Sequence, residues 1–333
     1  MPGGRRVARV LLLEIVLLAG LLTLALDVSA HRRIEIQGGL NIWGYRGPVA
    51  RQKKPDEVRV ALVGGSRAFS WGAVATGTPA AVIRQDLLRT LDRPGSAGVT
   101  VVALNLAQPG TLADSYRPTI ERYAYLRPDY ICIYDDLGVR GAPPPLNVSG
   151  VFAATGYWPA LPLVLREKGM LWQFGNVKRG YSSRQRDPAA HTSSVRSIAG
   201  ALMETVGATA AGIDRRLARR SRAGNAWPGE TEPPAYADAL LEAADAAHRH
   251  ARGVILAVSP VETDIQAANL EALKARIAGR LESDRWLRWV DLGEISELRQ
   301  AALRLDGWNY GAQASTLAGS RIAPAILALI RAR

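Results

Sequence analysis

Apolar and polar positions recur along much of the chain with two different spacings, which predict short strands separated by helices. Short apolar runs rich in β-branched residues read as strands, at 57–63, 99–105, 129–134, 253–259 and 286–292. Stretches with helical spacing lie at 78–91, 116–126, 236–251, 269–281 and about 312–331. Strands that alternate with helices predict an α/β domain over 57–331, built on a five-stranded parallel sheet with helices on both faces.

The alternation stops over about residues 141–235, which we predict to be an insertion in this domain. The segment holds proline- and glycine-rich stretches, a predicted helix at 195–219 and a concentration of arginine between Lys178 and Arg222. Three interpretations of its aromatic residues stay open: a carbohydrate or anionic-polymer groove, apolar packing of an inserted subdomain, or a face apposed to a membrane. These residues are Tyr157, Trp158, Trp172, Phe174 and Tyr181.

The N-terminus combines basic residues with a long apolar run. Arg5, Arg6 and Arg9 precede the stretch 10–26, in which Glu14 is the one charged residue. Such a run is near the short limit for crossing a bilayer, and the arginines would keep residues 1–9 in the cytoplasm and export the rest. We therefore predict a single-pass anchor at 10–29 and a lead-in segment at 30–56. The alternative is a secretory signal cleaved after the small residues "VSA" at 28–30.

Composition narrows the classes of function. The chain has 333 residues, 48% of them hydrophobic, and a formal net charge of +12, so it is globular and basic. A basic surface suits an anionic cell envelope, and since no nucleic-acid-binding motif accompanies the arginines, we predict no nucleic-acid partner. The single cysteine, Cys132, lies in an apolar run and is expected to be buried and inert. Four histidines give no ligand spacing, so no metal and no cofactor are predicted.

Residues that could carry chemistry follow the predicted strands. The first strand runs into "VGGSRAFSWG", where two glycines allow a sharp turn that presents Ser66 at a helix N-terminus. The alternative for Ser66 is a turn serine that caps this helix. Gly110 follows the second strand, and Asp135 and Asp136 follow the third. The carboxyl ends of parallel strands form the usual ligand-binding edge, so these residues should lie together.

The order of these pieces resembles the SGNH (GDSL-type) hydrolases, in particular their membrane-anchored bacterial members. The resemblance covers about residues 40–330 and rests on "LNIWGYRGPVARQKKPDEVRVALVGGSRAFSWG", "VTVVALNLAQPGTLADS", "LRPDYICIY", "GVILAVSP" and "DGWNYGAQASTLAGSRIA". It implies a three-layer, flavodoxin-like fold. It also implies a serine that attacks an ester carbonyl, a histidine that takes its proton, and an aspartate that orients the histidine. A serine N–H, a glycine N–H and an asparagine amide hold the oxyanion in that family.

Carried over residue by residue, the resemblance assigns Ser66 as nucleophile and first oxyanion donor, Gly110 as second donor and Asp306 as orienting carboxylate. Two positions depart from the pattern, because Gly138 stands where the family has its asparagine and Asn309 where it has its histidine. An amide has no basic nitrogen near neutral pH and cannot accept the serine proton. The usual base and one oxyanion donor are therefore missing.

Three side chains remain as substitutes for the base: Asp135, Asp136 and His191. For both aspartates the alternative is a solvated loop, and for Asp306 it is a helix cap or a surface carboxylate. Two functions follow. One is a catalytically impaired envelope protein, anchored in the bacterial inner membrane and facing the periplasm or exterior, which binds a glycan or protein partner. The other is an active ester hydrolase or O-acyltransferase on envelope polysaccharide or lipid.

Overall fold

The computed structural model describes residues 3–36, 39–70, 73–91, 99–138, 149–177, 179–180, 195–221, 233–304 and 309–332. The chain divides into two compact units. The first contains Met1–Ile34, Ile42–Gly44 and Val148–Ala223, so it joins the N-terminal helix to most of the segment expected as an insertion. The second contains Glu35–Asn41, Tyr45–Asn147 and Gly224–Arg333 and holds the sheet.

The sheet consists of five parallel strands in the flavodoxin-like order β2-β1-β3-β4-β5, which confirms the predicted fold class. Every strand coincides with a predicted apolar run to within two residues, because a strand covered on both faces is apolar at almost every position. The strands are β1 (Glu57–Gly64), β2 (Thr100–Asn105), β3 (Tyr130–Asp135), β4 (Gly253–Val258) and β5 (Leu287–Asp291).

Helices of the second unit cover the sheet as two groups. Helix α3 (Pro79–Leu91) packs against the last helix, α10 (Ala312–Arg331), whereas α4 (Ala113–Arg122) packs against α8 (Pro233–His250), which also contacts α9 (Asp264–Ser283). Right-handed crossovers place α3 on one face of the sheet and α4, α8 and α9 on the other. Cys132, in the middle of β3, is fully buried as expected, and this burial raises the pKa of its thiol.

The first unit is helical. Helix α1 (Gly3–Ile36) contains the predicted anchor, and α5 (Gly150–Thr155), α6 (Leu161–Phe174) and α7 (Val195–Ser221) follow in the later segment. Two described helices are long and apolar enough to span a membrane, α1 over Val10–Glu35 and α10. Helix α10 buries Ala314, Ala318, Ile322 and Ile326 completely in the sheet unit and is a core helix. Helix α1 exposes its apolar residues over most of its length, which is compatible with membrane anchoring.

Candidate active site

Ser66 lies at the carboxyl edge of the sheet, directly after the turn that ends β1. It is the first residue of the short helix α2 (Ser66–Phe69), it is partly exposed, and its hydroxyl accepts a hydrogen bond from the Gly110 N–H at 3.3 Å. Gly65, not Ser66, is the N-cap of this helix, and no side chain caps it. The interpretation of Ser66 as a helix cap is therefore wrong. The structure brings the serine together with one of the two backbone groups expected to bind an oxyanion.

The two glycines before Ser66 allow a close approach that any side chain would prevent. A Cβ atom on Gly64 would lie 2.2 Å from the Tyr134 carbonyl oxygen and 2.6 Å from the Ala68 Cβ atom. A Cβ atom on Gly65 would lie 2.6 Å from Oδ2 of Asp136. The glycines thus bring the end of β1 against the end of β3, and they set the backbone of Ser66 beside the Asp136 carboxylate.

Asp135 and Asp136 are both buried, so their interpretation as solvated loop residues is wrong. The Asp135 carboxylate accepts hydrogen bonds from the hydroxyl of Tyr116 at 2.7 Å, from the hydroxyl of Tyr236, and from the Leu137 N–H at 2.6 Å. Burial raises the pKa of Asp135, and these three donors act in the opposite direction. With its oxygens held in this way, Asp135 anchors the loop after β3 and is not directed at the serine.

Asp136 lies next to Ser66 but bonds to other groups. Its Oδ2 accepts from the Arg67 N–H at 3.3 Å and its Oδ1 from the Ser259 hydroxyl at 3.1 Å. Burial raises the pKa of Asp136 to about 6; the Asp135 charge adds to this rise and Arg67 opposes it. Among the described residues, the Ser66 hydroxyl has a hydrogen bond with Gly110 only. Asp136 is thus a carboxyl group whose pKa lies close to neutral pH and which is not hydrogen-bonded to the Ser66 hydroxyl.

Four charged side chains of alternating sign follow one another in a row that begins at Asp136. The sequence did not indicate this row. The Arg67 side chain is fully buried, with Nε 4.0 Å from Oδ1 of Asp136 and one terminal nitrogen 2.7 Å from Oε1 of Glu262. Glu262 in turn receives two hydrogen bonds from Arg304, at 2.7 and 3.3 Å. The Arg67 guanidinium also lies over the Tyr310 ring, at 4.6 Å from its centroid. We call Asp136, Arg67, Glu262 and Arg304 the charge chain.

Gly138, the residue in the asparagine position, has no room for a side chain. Its φ of +75° lies in the left-handed region, and a Cβ atom there would be 2.7 Å from Nδ2 of Asn269 and 3.2 Å from the Tyr236 ring. The Asn269 amide in turn donates to the Leu137 carbonyl at 2.9 Å. The loop therefore supplies no side-chain amide from position 138, and an asparagine could not be introduced there without rearrangement.

Of the remaining predicted site residues, Asn309 lies among the described residues. Asn309, in the histidine position, is half-buried and precedes the fully buried Tyr310. Asp306 and His191 lie outside the described residues, so their predicted roles stay predictions. In the part of the chain that the structure describes, no group of three or more His, Cys, Asp or Glu side chains could hold a metal ion.

Arg46, in the lead-in motif "NIWGYRG", donates hydrogen bonds that hold the backbone after Ser66 in place. Its N–H donates to the Asn105 carbonyl at 2.9 Å, which joins the lead-in to the end of β2. Its guanidinium donates to the carbonyls of Phe69, Ser70 and Ala73, with the Ser70 bond at 2.6 Å. Burial lowers the pKa of Arg46 to about 10. The sequence motif marked this segment, and the structure gives the arginine a definite structural role.

Comparisons with known proteins return likenesses of fold. No protein-family model and no curated protein matches the sequence. A solved protein described as lipolytic and of the G-D-S-L family, from Desulfitobacterium hafniense, is 11% identical, with 80% of this chain and 98% of that chain covered and a TM-score of 0.36. A family two carbohydrate esterase from Clostridium thermocellum is 10% identical (85% and 67% covered, TM-score 0.41). A family 3 carbohydrate esterase from Talaromyces cellulolyticus is also 10% identical (83% and 99% covered, TM-score 0.40).

Proposed function

We propose that this chain is a membrane-anchored, SGNH-type protein of the bacterial cell envelope whose cleft binds a glycan or a protein partner without hydrolysing an ester. One observation carries the proposal. The Ser66 hydroxyl is hydrogen-bonded to the Gly110 N–H, while the two described candidate bases are bonded to other groups. A serine hydroxyl is a weak nucleophile unless an adjacent base takes its proton. The site therefore keeps a polar recognition surface, and among the described residues no base is hydrogen-bonded to the Ser66 hydroxyl.

The same geometry explains what the cleft could recognise. The Ser66 hydroxyl is a polar group at a partly exposed position, suited to a carbonyl or hydroxyl oxygen of a ligand, and the N–H of the buried Gly110 donates to it. The absence of a side chain at Gly138 removes the third donor expected for an oxyanion. Each such donor contributes about 10²–10³ in rate in enzymes that use one. Neutral oxygen atoms of an acylated glycan fit this donor set better than a developing negative charge does.

The second candidate, an active ester hydrolase or O-acyltransferase on envelope polysaccharide or lipid, rests on Asp136. Its carboxylate approaches the backbone on both sides of Ser66, and its pKa of about 6 suits a general base near neutral pH. For Asp136 to act, the Ser66 side chain would have to rotate from Gly110 toward it. An activity that rises with pH through about 6 would be the signature of this mechanism.

A fluorophosphonate probe separates the two candidates, because it reacts with activated serines. We expect full-length protein to show no labelling that Ser66→Ala removes, while Ser115→Ala, a serine at the same edge of the sheet, serves as the matched control. Isothermal titration with an O-acetylated polysaccharide and its deacetylated form should then detect binding without release of acetate. Strong labelling that depends on Ser66 and is lost in Asp136→Asn would contradict the proposal and favour the hydrolase.

The anchor is expected to remain attached, because it is built into the first unit. Asp27 accepts hydrogen bonds from the Leu161 N–H at the start of α6, at 2.5 Å, and from the Tyr157 hydroxyl. His31 bonds to the Trp158 carbonyl at 2.7 Å. Ala30 lies between these two buried side chains, inside a continuous helix. Cleavage after "VSA" would remove Asp27 from the N-terminus of α6, so these contacts support an uncleaved anchor.

A further inference from the structure

Helix α7 packs one face against other described residues, whereas a second, apolar face is exposed among the residues that the structure describes. On the packed face, Gly200 and Gly207 allow a very close approach to α6: a Cβ atom on Gly200 would lie 2.9 Å from the Gly169 carbonyl oxygen. One on Gly207 would lie 2.5 Å from the Pro162 carbonyl oxygen. Small residues that let two helix backbones meet in this way fix the pair tightly. The direction in which the other face of α7 points is therefore set by the α6–α7 pair.

The other face carries a row of large apolar side chains, each between 45% and 83% exposed. Their spacing of three, four and seven residues places them within about 100° of the helix circumference, on a strip about 33 Å long. We call this row the α7 stripe; it consists of Val195, Ile198, Leu202, Val206, Ile213 and Leu217. An exposed apolar strip of this length is unusual on a soluble surface, and such strips mark sites that contact a protein, a ligand or a membrane.

The charges of α7 are distributed unevenly around the helix. Its two carboxylates serve the interior of the unit: Asp214 accepts from the Val151 N–H at 2.8 Å, and Glu204 accepts from the Gln173 amide at 2.8 Å. Arg196 near the start of the α7 stripe and Arg216 near its end are exposed. Arg216 follows Ile198 by five helical turns and so lies on the same face. The face of the α7 stripe thus carries a cation, Arg216, while both anions are turned inward.

We infer that α7 lies along the surface of the membrane, with the α7 stripe in the boundary between headgroups and acyl chains and Arg216 among anionic lipid headgroups. This rests on the proposed anchoring, because α1 belongs to the same compact unit as α7 and would already hold that unit at a bilayer. A helix with an apolar face and a basic flank enters such an interface by about 5–10 Å. The first unit would then contact lipid through two helices, one crossing the bilayer and one lying on it.

Probes of depth test this inference in the full-length chain. Cys132 is fully buried, so a single exposed cysteine can be introduced and labelled with the environment-sensitive fluorophore NBD. Leu202→Cys reports the α7 stripe, and Arg215→Cys, exposed on the other side of the same helix, is its matched control. Leu18→Cys, 70% exposed on α1, reports the anchor. Each protein is reconstituted in nanodiscs of phosphatidylcholine and phosphatidylglycerol that carry a nitroxide on the acyl chain close to the headgroup.

We expect the nitroxide to quench the probe at position 202 several-fold more than the probe at 215, and Arg216→Glu to weaken this difference in anionic nanodiscs. Equal, weak quenching at 202 and 215 together with quenching at 18 would overturn the inference and leave the anchor intact. No quenching at 18 would instead contradict the anchoring. An unquenched probe at 202, together with a disulfide between two copies of unlabelled Leu202→Cys protein under a mild added oxidant, would also overturn the inference, since it would assign the α7 stripe to a dimer.

Discussion

Asp136 gives a prediction in which the direction and the size of the effect both follow from the structure. In the unfolded chain its carboxyl ionises near the ordinary value of 3.8, whereas burial beside Asp135 raises the pKa to about 6 in the folded protein. Between these two pH values the folded protein holds one more proton than the unfolded chain. Asp136 therefore stabilises the fold fully below pH 3.8, and this contribution is lost as the pH rises through about 6.

The expected size is substantial. The difference between 3.8 and about 6 corresponds to about 3 kcal/mol of unfolding free energy, at about 1.4 kcal/mol for each pKa unit. Asp136→Asn is neutral at every pH, so it should remove this part of the pH dependence. We expect the difference in unfolding free energy between the native chain and the variant to change by about 3 kcal/mol between about pH 3 and about pH 8.

Urea denaturation of the full-length protein in mild detergent, followed by tryptophan fluorescence, measures this difference. The comparison with the variant removes the contributions of the titrating groups that do not interact with Asp136, since those are common to both proteins. A parallel pH dependence in the two proteins would refute the reasoning. Should the variant not fold, a carbon-13 NMR titration of the native aspartate carboxyls provides the test. A midpoint near 4 for Asp136 would then show that Arg67 and Ser259 outweigh burial.

Two further predictions address the supports of the site and the anchor. Arg46→Ala should lower the unfolding free energy by about 3 kcal/mol, because it leaves the carbonyls of Phe69, Ser70 and Ala73 without their donor. Arg46→Lys, which lacks the forked guanidinium, should recover only part of the loss. Equal stability of the native protein and Arg46→Ala in urea denaturation would contradict this role. Intact-mass measurement on protein purified from a membrane fraction should find residues 1–30 present, and a chain beginning at His31 would show that the contacts of Asp27 do not prevent cleavage.

The strands were predictable from the sequence, their flavodoxin-like order was implied by the resemblance, and the meeting of Ser66 with Gly110 followed from their places after two strands. Buried parallel strands are continuous apolar runs, and the right-handed crossover rule leaves few ways to order them. The surroundings of Asp135 and Asp136 were not predictable. Their burial depends on Tyr116, Tyr236 and Ser259, which come from three separate elements and show no local pattern. Two aspartates after a strand indicate a solvated loop as long as the groups that donate hydrogen bonds to them are unknown.

The joining of the anchor to the later segment was equally hidden. Asp27 and His31 meet Tyr157, Trp158 and Leu161 across more than a hundred residues, and no periodicity links such distant positions. The expectation of one insertion within a single domain came from the interruption of the strand–helix alternation. Such an interruption shows where the pattern stops and not which residues the interrupting segment contacts.

The charge chain also limits which single substitutions can be accepted during the evolution of this protein. Loss of Arg67 alone would leave the buried Asp136 carboxylate without its neighbouring cation, and loss of Glu262 would remove the anion that both Arg67 and Arg304 contact. Removing one partner of a buried ion pair is far more harmful than exchanging the whole set for apolar residues. In related sequences the residues at positions 67, 136, 262 and 304 should accordingly be inherited as a set, so that a pair of sequences differing at one of them differs at another as well.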